Sequence, residues 1–354
     1  MAAIASRNAL REAGLTFADV DGLFYTGSDD MFGGAMNLAQ YCGIAQPKVL
    51  ENSRTGGNVF ISYIERAAFL LDAGLIDCAL IAYGSNQASA TGKLSRSSKP
   101  FPYEAWYEPL NPLSGYALAA ARHMHQFGTT KEQLGEVALA ARQWARLNPE
   151  AAVREPLTMD EYLSARLISD PFGKLDCCLV TDGAAAVVLT RADRARDLVS
   201  RPVTLLAAAS MTSHANISSM PDLTITALAE CGPRALADAG LTPAEVDVVQ
   251  LYDAFTINTI LFLEDLGFCP KGEGGRFVEG GRIAPGGALP VNTNGGGLSC
   301  MHPGMYGLFP VIEAVRQLRG ECGERQIAGA RTAIAQGNGG QLSSQSVCVL
   351  ACAK

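Results

Sequence analysis

The segment ALREAGLTFADVD at 9–21 returns as ALADAGLTPAEVD at 235–247. The two copies are identical at Ala9/Ala235, Leu10/Leu236, Ala13/Ala239, Gly14/Gly240, Leu15/Leu241, Thr16/Thr242, Ala18/Ala244, Val20/Val246 and Asp21/Asp247. A match of this length, repeated 226 positions later, marks an internal duplication. Each copy reads as a helix that stops at a glycine, followed by Leu-Thr-x-Ala and then an apolar run, GLFYTG at 22–27 or VVQLYD at 248–253. The pattern predicts two related α/β halves, residues 1–200 and 201–354. Further runs without polar alternation, CALIAYG at 78–84, AAAVVLT at 184–190, VTLLAAA at 203–209 and VCVLACA at 347–353, are expected to be strands buried on both faces. Helices are expected on both sides of each sheet.

The duplication also exposes a gap. Run 203–209 precedes the second copy, and its counterpart would fall before Met1. The first half is therefore expected to lack its opening strand, either because Met1 is internal to a longer protein or because that sheet is one strand short. An insertion over about 86–170 separates the first half's strands. It holds a Pro-rich stretch, KPFPYEAWYEPLNPLSG, and helical patterns at 130–147 and 158–167. It is too long for a plain loop and is expected to be a lid or part of a dimer contact, the plainer reading being a peripheral subdomain.

Composition narrows the function. At 354 residues and 48% hydrophobic the chain can bury a large core, and a net charge of −7 without a Lys/Arg cluster leaves no footprint for nucleic acid or an anionic membrane. The ten cysteines are scattered, with one adjacent pair, Cys177 and Cys178, and no CxxC spacing for zinc. They read as buried thiols of a reducing compartment. With no membrane-length apolar run and no signal-peptide pattern at the start, a soluble, cytoplasmic protein is expected.

Four strings carry a resemblance: ISDPFGKLDCCLVTDGAAAVVLT at 168–190, LYDAF at 251–255, NGGGLSCMHPG at 294–304 and GNGG at 337–340. In order and spacing they resemble the thiolase superfamily, in its branch related to sterol carrier protein thiolases and to proteins labelled acetyl-CoA acetyltransferase-like. The resemblance implies the thiolase fold, an α/β architecture of two βαβαβαββ halves in five layers with an inserted lid subdomain. It also implies acyl-CoA thioesters as substrates, CoA entering only as part of the substrate, no tightly bound cofactor and a homodimer.

By family spacing, the nucleophilic cysteine position falls on Gly57, in front of the helix that ends at Ala73-Gly74, and the second cysteine position falls on Gly337. Neither offers sulfur. Gly57, Asp253, Gly337 and Asn338 are then expected to shape the pocket and its oxyanion site. Ser53 and Thr55 lie off register, and Cys300, close to His302, is the alternative nucleophile. His302 in CMHPG matches the histidine that holds a thioester oxygen. Tyr252 stands where the family carries an amide; a phenol can exchange a proton. Tyr306 would share a face with His302 if a helix ran over 303–316. Tyr252, His302 and Tyr306 are the catalytic candidates, and a base role for a tyrosine would require its titration to be lowered. His123 and His125, two apart on a helical stretch, are read as solvated or packed rather than as metal ligands, and no metal site is expected.

Loss of both cysteines with gain of a tyrosine resembles the steroid side-chain aldolases of the superfamily, of the lipid-transfer-protein type. These act with a small partner carrying a zinc ribbon and an oligonucleotide-binding-type fold. The implied activity is a retro-aldol carbon–carbon lyase on a β-hydroxyacyl-CoA, with an acyltransferase using an unusual nucleophile and a non-catalytic scaffold as the other readings.

Overall fold

The structure, a computed structural model, describes residues 1–27, 34–91, 101–198 and 201–353. Residues 92–100 of the insertion, the last two of which open its Pro-rich stretch, lie outside them. The first part runs α1 (Ala2–Glu12), β1 (Gly22–Gly27), α2 (Gly34–Cys42), β2 (Val49–Glu51), α3 (Val59–Asp72), β3 (Ala79–Ser85) and α4 (Gln87–Thr91). Then come α5 (Leu113–Phe127), α6 (Lys131–Arg146), α7 (Met159–Leu163), the pair β4 (Leu167–Ser169) and β5 (Phe172–Gly173), β6 (Gly183–Leu189) and α8 (Ala192–Leu198). The rest is β7 (Val203–Thr212), α9 (Leu228–Asp238), β8 (Val248–Gln250), α10 (Thr256–Asp265), α11 (Gly274–Phe277), α12 (Leu308–Arg319), β9 (Thr332–Gly339) and β10 (Ser344–Cys352).

Two four-stranded sheets carry the fold, ordered β2-β1-β3-β6 and β7-β10-β9-β8. β1 and β3 are parallel and β6 runs against β3; β8 and β9 are parallel and β10 runs against β9. The duplicated residues do duplicated work. Gly14 and Gly240 both take positive φ, 74° and 68°, where a side chain would be strained. Asp21 Oδ1 accepts the N–H groups of Asp77 and Cys78 at 3.0 and 2.9 Å, and Asp247 Oδ2 accepts those of Arg331 and Thr332 at 2.8 and 3.0 Å. Each aspartate ties its own strand to the start of the next parallel one. β7 lies beside β10, and among the described residues β6 has no strand on the corresponding side.

α3 packs against strands of both sheets and against α12, while α1 and α2 cover the outer face of the first sheet and α9 that of the second. The fold is thus the five-layered thiolase architecture. α3 is apolar around most of its girth, with Val59, Phe60, Ile61, Tyr63, Ile64, Ala67 and Leu71 buried, as a helix between two sheets requires. Among the described residues no helix is long and apolar enough to cross a membrane.

Four local expectations need correcting. β6 and β7 are half-exposed rather than buried on both faces, because they are the outer strands of their sheets. The helical pattern 158–167 ends at Leu163, after which the chain turns into the β4/β5 pair. β8 stops at Gln250, so Tyr252 lies two residues past the strand. The last helix starts at Leu308, so Tyr306 precedes it.

Candidate active site

Four backbone segments meet where the two halves face each other: the entry to α3 at 55–58, residues 251–255 beyond β8, residues 294–307, and the end of β9. Their approach depends on missing side chains. A Cβ on Gly337 would stand 2.9 Å from Asn58 Cα, one on Gly56 would stand 2.6 Å from Gly339 Cα, and one on Gly307 would run into the Gly57 carbonyl oxygen. The glycine pairs are there so that main chain can touch main chain.

Gly57 is different. Its φ lies outside the left-handed region, so its backbone does not ask for glycine; the space does. A Cβ there would run into Tyr252 Cε2, with Tyr252 Oη 2.8 Å away. The tyrosine ring occupies the room in which a side chain at 57 would stand.

Tyr252 is held on all sides. Its N–H donates to Gln336 Oε1 at 3.0 Å, its carbonyl accepts from Asn258 Nδ2 at 3.1 Å, and its hydroxyl accepts the Tyr306 N–H at 3.1 Å. Its ring meets His302 edge-on at 5.5 Å between centroids and Tyr306 at 5.7 Å, while His302 and Tyr306 stack at 6.0 Å. Their stacking comes from the loop that ends at Gly307, not from a shared helical face. Tyr306 Oη exchanges hydrogen bonds with the Asn294 amide at 2.9 and 3.0 Å.

Burial dominates the electrostatics. It lowers His302 to about 4, so the imidazole is neutral at physiological pH, and its Nε2 is buried with no hydrogen-bond partner among the described residues. Such an atom needs a partner, and an incoming oxygen would supply one. Burial pushes the phenols of Tyr252 and Tyr306 well above their ordinary value, so both are neutral. The lowering that a base role for a free-standing tyrosinate would require is thus not supplied: among the described residues no cation stands beside either ring.

Asp253 does not reach into the pocket as an oxyanion group. Fully buried, its carboxylate accepts the N–H groups of Gly297 at 2.6 Å and Leu298 at 3.4 Å and so holds the π-helical turn Gly296–Cys300 that leads to His302. Burial raises it to about 7, against those two bonds, its own N–H and the Asn292 side chain. Asn338 is also structural: it donates to Tyr116 Oη at 2.7 Å and accepts from Gln345 Nε2 at 2.8 Å.

Cys300, the alternative nucleophile, packs with Ala145 and Ala151 under α6, near Asn148 Nδ2, and burial lifts its thiol to about 12. It is core, not nucleophile. His123 is buried, with Nδ1 on Thr129 Oγ1 at 2.8 Å and Nε2 on the Glu264 carboxylate at 3.1 Å. Ser53 and Thr55 stay off register: Ser53 Oγ donates to Glu51, and the Thr55 carbonyl lies against Gly339.

Two positioning residues escaped sequence reasoning. Tyr83 Oη donates to the Pro303 carbonyl and accepts the Met305 N–H at 3.0 Å, and Thr181 Oγ1 accepts the His302 N–H at 3.1 Å. Both lie in strings already singled out, a strand end and the TDG segment. Nothing local says that they grip a loop more than 100 positions away.

The description "Thiolase C-terminal domain-like" matches residues 209–352. Over 90% of its length the chain is 34% identical to 17-hydroxy-3-oxo-4-pregnene-20-carboxyl-CoA lyase of Mycobacterium tuberculosis, covering 86% of that protein. The chain belongs to the thiolase superfamily. A second superfamily relative, the steroid side-chain-cleaving aldolase of Thermomonospora curvata, is 32% identical over 88% of the chain and 83% of its own length. A solved thiolase-fold structure, an Ltp2-ChsH2(DUF35) aldolase, superposes with a TM-score of 0.87 at 30% identity over 99% of this chain and 91% of that one. This member of the superfamily is a carbon–carbon lyase, with glycine at 57 and 337.

Proposed function

We propose that this lyase cleaves the Cα–Cβ bond of a β-hydroxyacyl-CoA with a bulky apolar acyl part of the steroid side-chain class, using Tyr252 and His302. The observation that carries the reading is that the Tyr252 ring fills the space over Gly57 and stands edge-on to the ring of His302, whose Nε2 has no partner among the described residues. Acyl transfer through a side chain at 57 has no room, while a proton carrier and an oxyanion donor stand ring against ring.

In the proposed reaction the thioester oxygen lies on His302 Nε2–H. The β-hydroxyl proton passes to Tyr252 Oη, the O–H bond electrons become the second bond of the ketone C=O, and the Cα–Cβ electrons flow to the thioester oxygen as an enolate. In the same motion Tyr252 gives its own proton to Cα, where the enolate electrons form the new C–H bond and the thioester carbonyl returns. The phenol begins and ends neutral, which suits a tyrosine raised well above its ordinary value, and the neutral imidazole donates without carrying charge. Tyr306 assists by donating its main-chain N–H to Tyr252 Oη, which steadies the oxygen while it changes proton. No Schiff-base lysine is needed, because the thioester is the electron sink.

The aldolase named with a DUF35 protein supports a small partner of that kind for this chain as well. The test is product analysis on a steroid β-hydroxyacyl-CoA, with and without such a partner. Ketone and shortened acyl-CoA in equal amounts are expected, unaffected by iodoacetamide. Thiol-sensitive exchange of CoA without cleavage would replace this reading with acyl transfer.

A further inference from the structure

A second site lies behind the turn at 296–300. Two arginines are buried among the described residues, Arg142 and Arg325, 8% and 6% exposed. Arg325 is neutralised by Glu313, with Nε on Oε1 at 3.0 Å and Nη2 on Oε2 at 3.1 Å. Arg142 has no carboxylate within ion-pair distance among the described residues. Its Nε donates to Ser299 Oγ at 3.0 Å and its Nη1 to the Glu155 carbonyl at 3.0 Å, which leaves the Nη2 edge without a partner there. The Glu161 carboxylate acts on it only through space and is itself held by the Thr158 N–H and hydroxyl.

A largely buried guanidinium with no counter-charge, its unpartnered edge open to a cleft, favours an anion at that edge. Arg142 lines a cleft of about 590 Å³ whose other walls include Leu139, Leu147, Pro156, Leu157 and Pro285. That size falls within the roughly 300–1,000 Å³ of small-molecule sites. The charged side chains of the lining are Arg142, Arg146 and Glu324, so the wall carries one net positive charge. It matches a monoanion better than a phosphate dianion, and the apolar walls ask for a hydrocarbon body.

We infer that this cleft binds an amphiphilic monocarboxylate, its carboxylate on the free edge of Arg142 and its hydrocarbon part against Leu139, Leu147 and Leu157. The site is separate from the Tyr252–His302 pocket and does not depend on the proposed reaction. Because Arg142 Nε also donates to Ser299, the ligand sits one hydrogen bond from the turn that leads to His302.

The test is titration calorimetry of the full chain with decanoate, with decan-1-ol and inorganic phosphate as separate probes. One decanoate per chain is expected, with each control at least tenfold weaker. Arg142→Met should weaken decanoate at least tenfold. Leu157→Trp fills the cleft from its half-exposed wall, leaves the Arg142–Ser299 bond alone, and should weaken it similarly, so the idea stays testable if Arg142→Met does not fold. Decan-1-ol or phosphate binding as tightly as decanoate would overturn the inference. Decanoate affinity within twofold of wild type in Leu157→Trp, or no decanoate binding to wild type, would overturn it too.

Discussion

At the scale of single residues, the informative pair is Gly57 and Tyr252. Sequence spacing identifies 57 as a position without a nucleophile, but the reason for glycine there is steric and comes from a residue 195 positions away. Gly57→Cys should therefore destabilise the protein by about 1–3 kcal/mol through overpacking, without creating a thiolase. Adding Tyr252→Asn should recover most of that loss, read from urea midpoints of the two single variants and the double. Independent, additive effects would mean that the ring is free to move aside. Tyr252→Phe keeps the packing and removes only the hydroxyl. Cleavage should fall by roughly 10²–10⁴, the usual cost of losing a proton-transfer group. Stability should fall by only about 1 kcal/mol, for the lost acceptor of the Tyr306 N–H. Rates and melting temperatures on one preparation separate the two effects, and wild-type turnover would end the tyrosine mechanism.

At the scale of elements, short polar side chains set where the turns lie. The π-helical turn Gly296–Cys300 is held by Asp253, and the packing around that carboxylate is tight enough that a Cβ on Gly296 would run into it. Burial raises Asp253 from 3.8 to about 7, so the folded state keeps a proton that the unfolded chain releases near pH 4. Its contribution to stability is therefore complete below about pH 4 and is lost as pH rises toward 7. The stability difference between wild type and Asp253→Asn should shrink by on the order of 1–3 kcal/mol between pH 4.5 and 7.5 in urea titrations, and a constant difference would mean that the carboxyl is already ionised at the lower pH. Glu264 behaves oppositely. Burial works to raise it, but His123, Lys271 and the Gly274 N–H outweigh burial and bring it below its ordinary value. This bond between α5 and α10 is present at neutral pH and is lost as pH falls through the carboxylate range. His123→Ala should leave Glu264 buried without one of its partners and cost about 2–3 kcal/mol at pH 7, measured by chemical denaturation. No loss would mean that Lys271 alone suffices.

At the scale of the molecule, α3 and α12 are shared by both sheets, so neither half has a complete core without the other. Calorimetry should show one transition whose van't Hoff and calorimetric enthalpies agree, and two separated transitions would show independent halves. The duplication at 9–21 and 235–247, the apolar runs of the strands, the identity of His302 in CMHPG and the absence of sulfur at 57 and 337 were all legible in the chain, because periodicity, turn chemistry and side-chain type are local properties. What stands next to what was not legible. The Tyr252 ring over Gly57, the carboxylate of Asp253 turned onto a loop rather than toward substrate, Cys300 buried under α6, and Tyr83 and Thr181 gripping the histidine loop all depend on contacts between distant segments. So do the proton states, since only burial in the assembled core lowers His302 and raises Tyr252, and no residue carries its degree of burial in its name. The sequence by itself determined the family and the glycines at 57 and 337; tertiary structure alone decided which side chain occupies the space over Gly57, because excluded volume and desolvation are set by neighbours in space and not by neighbours along the chain.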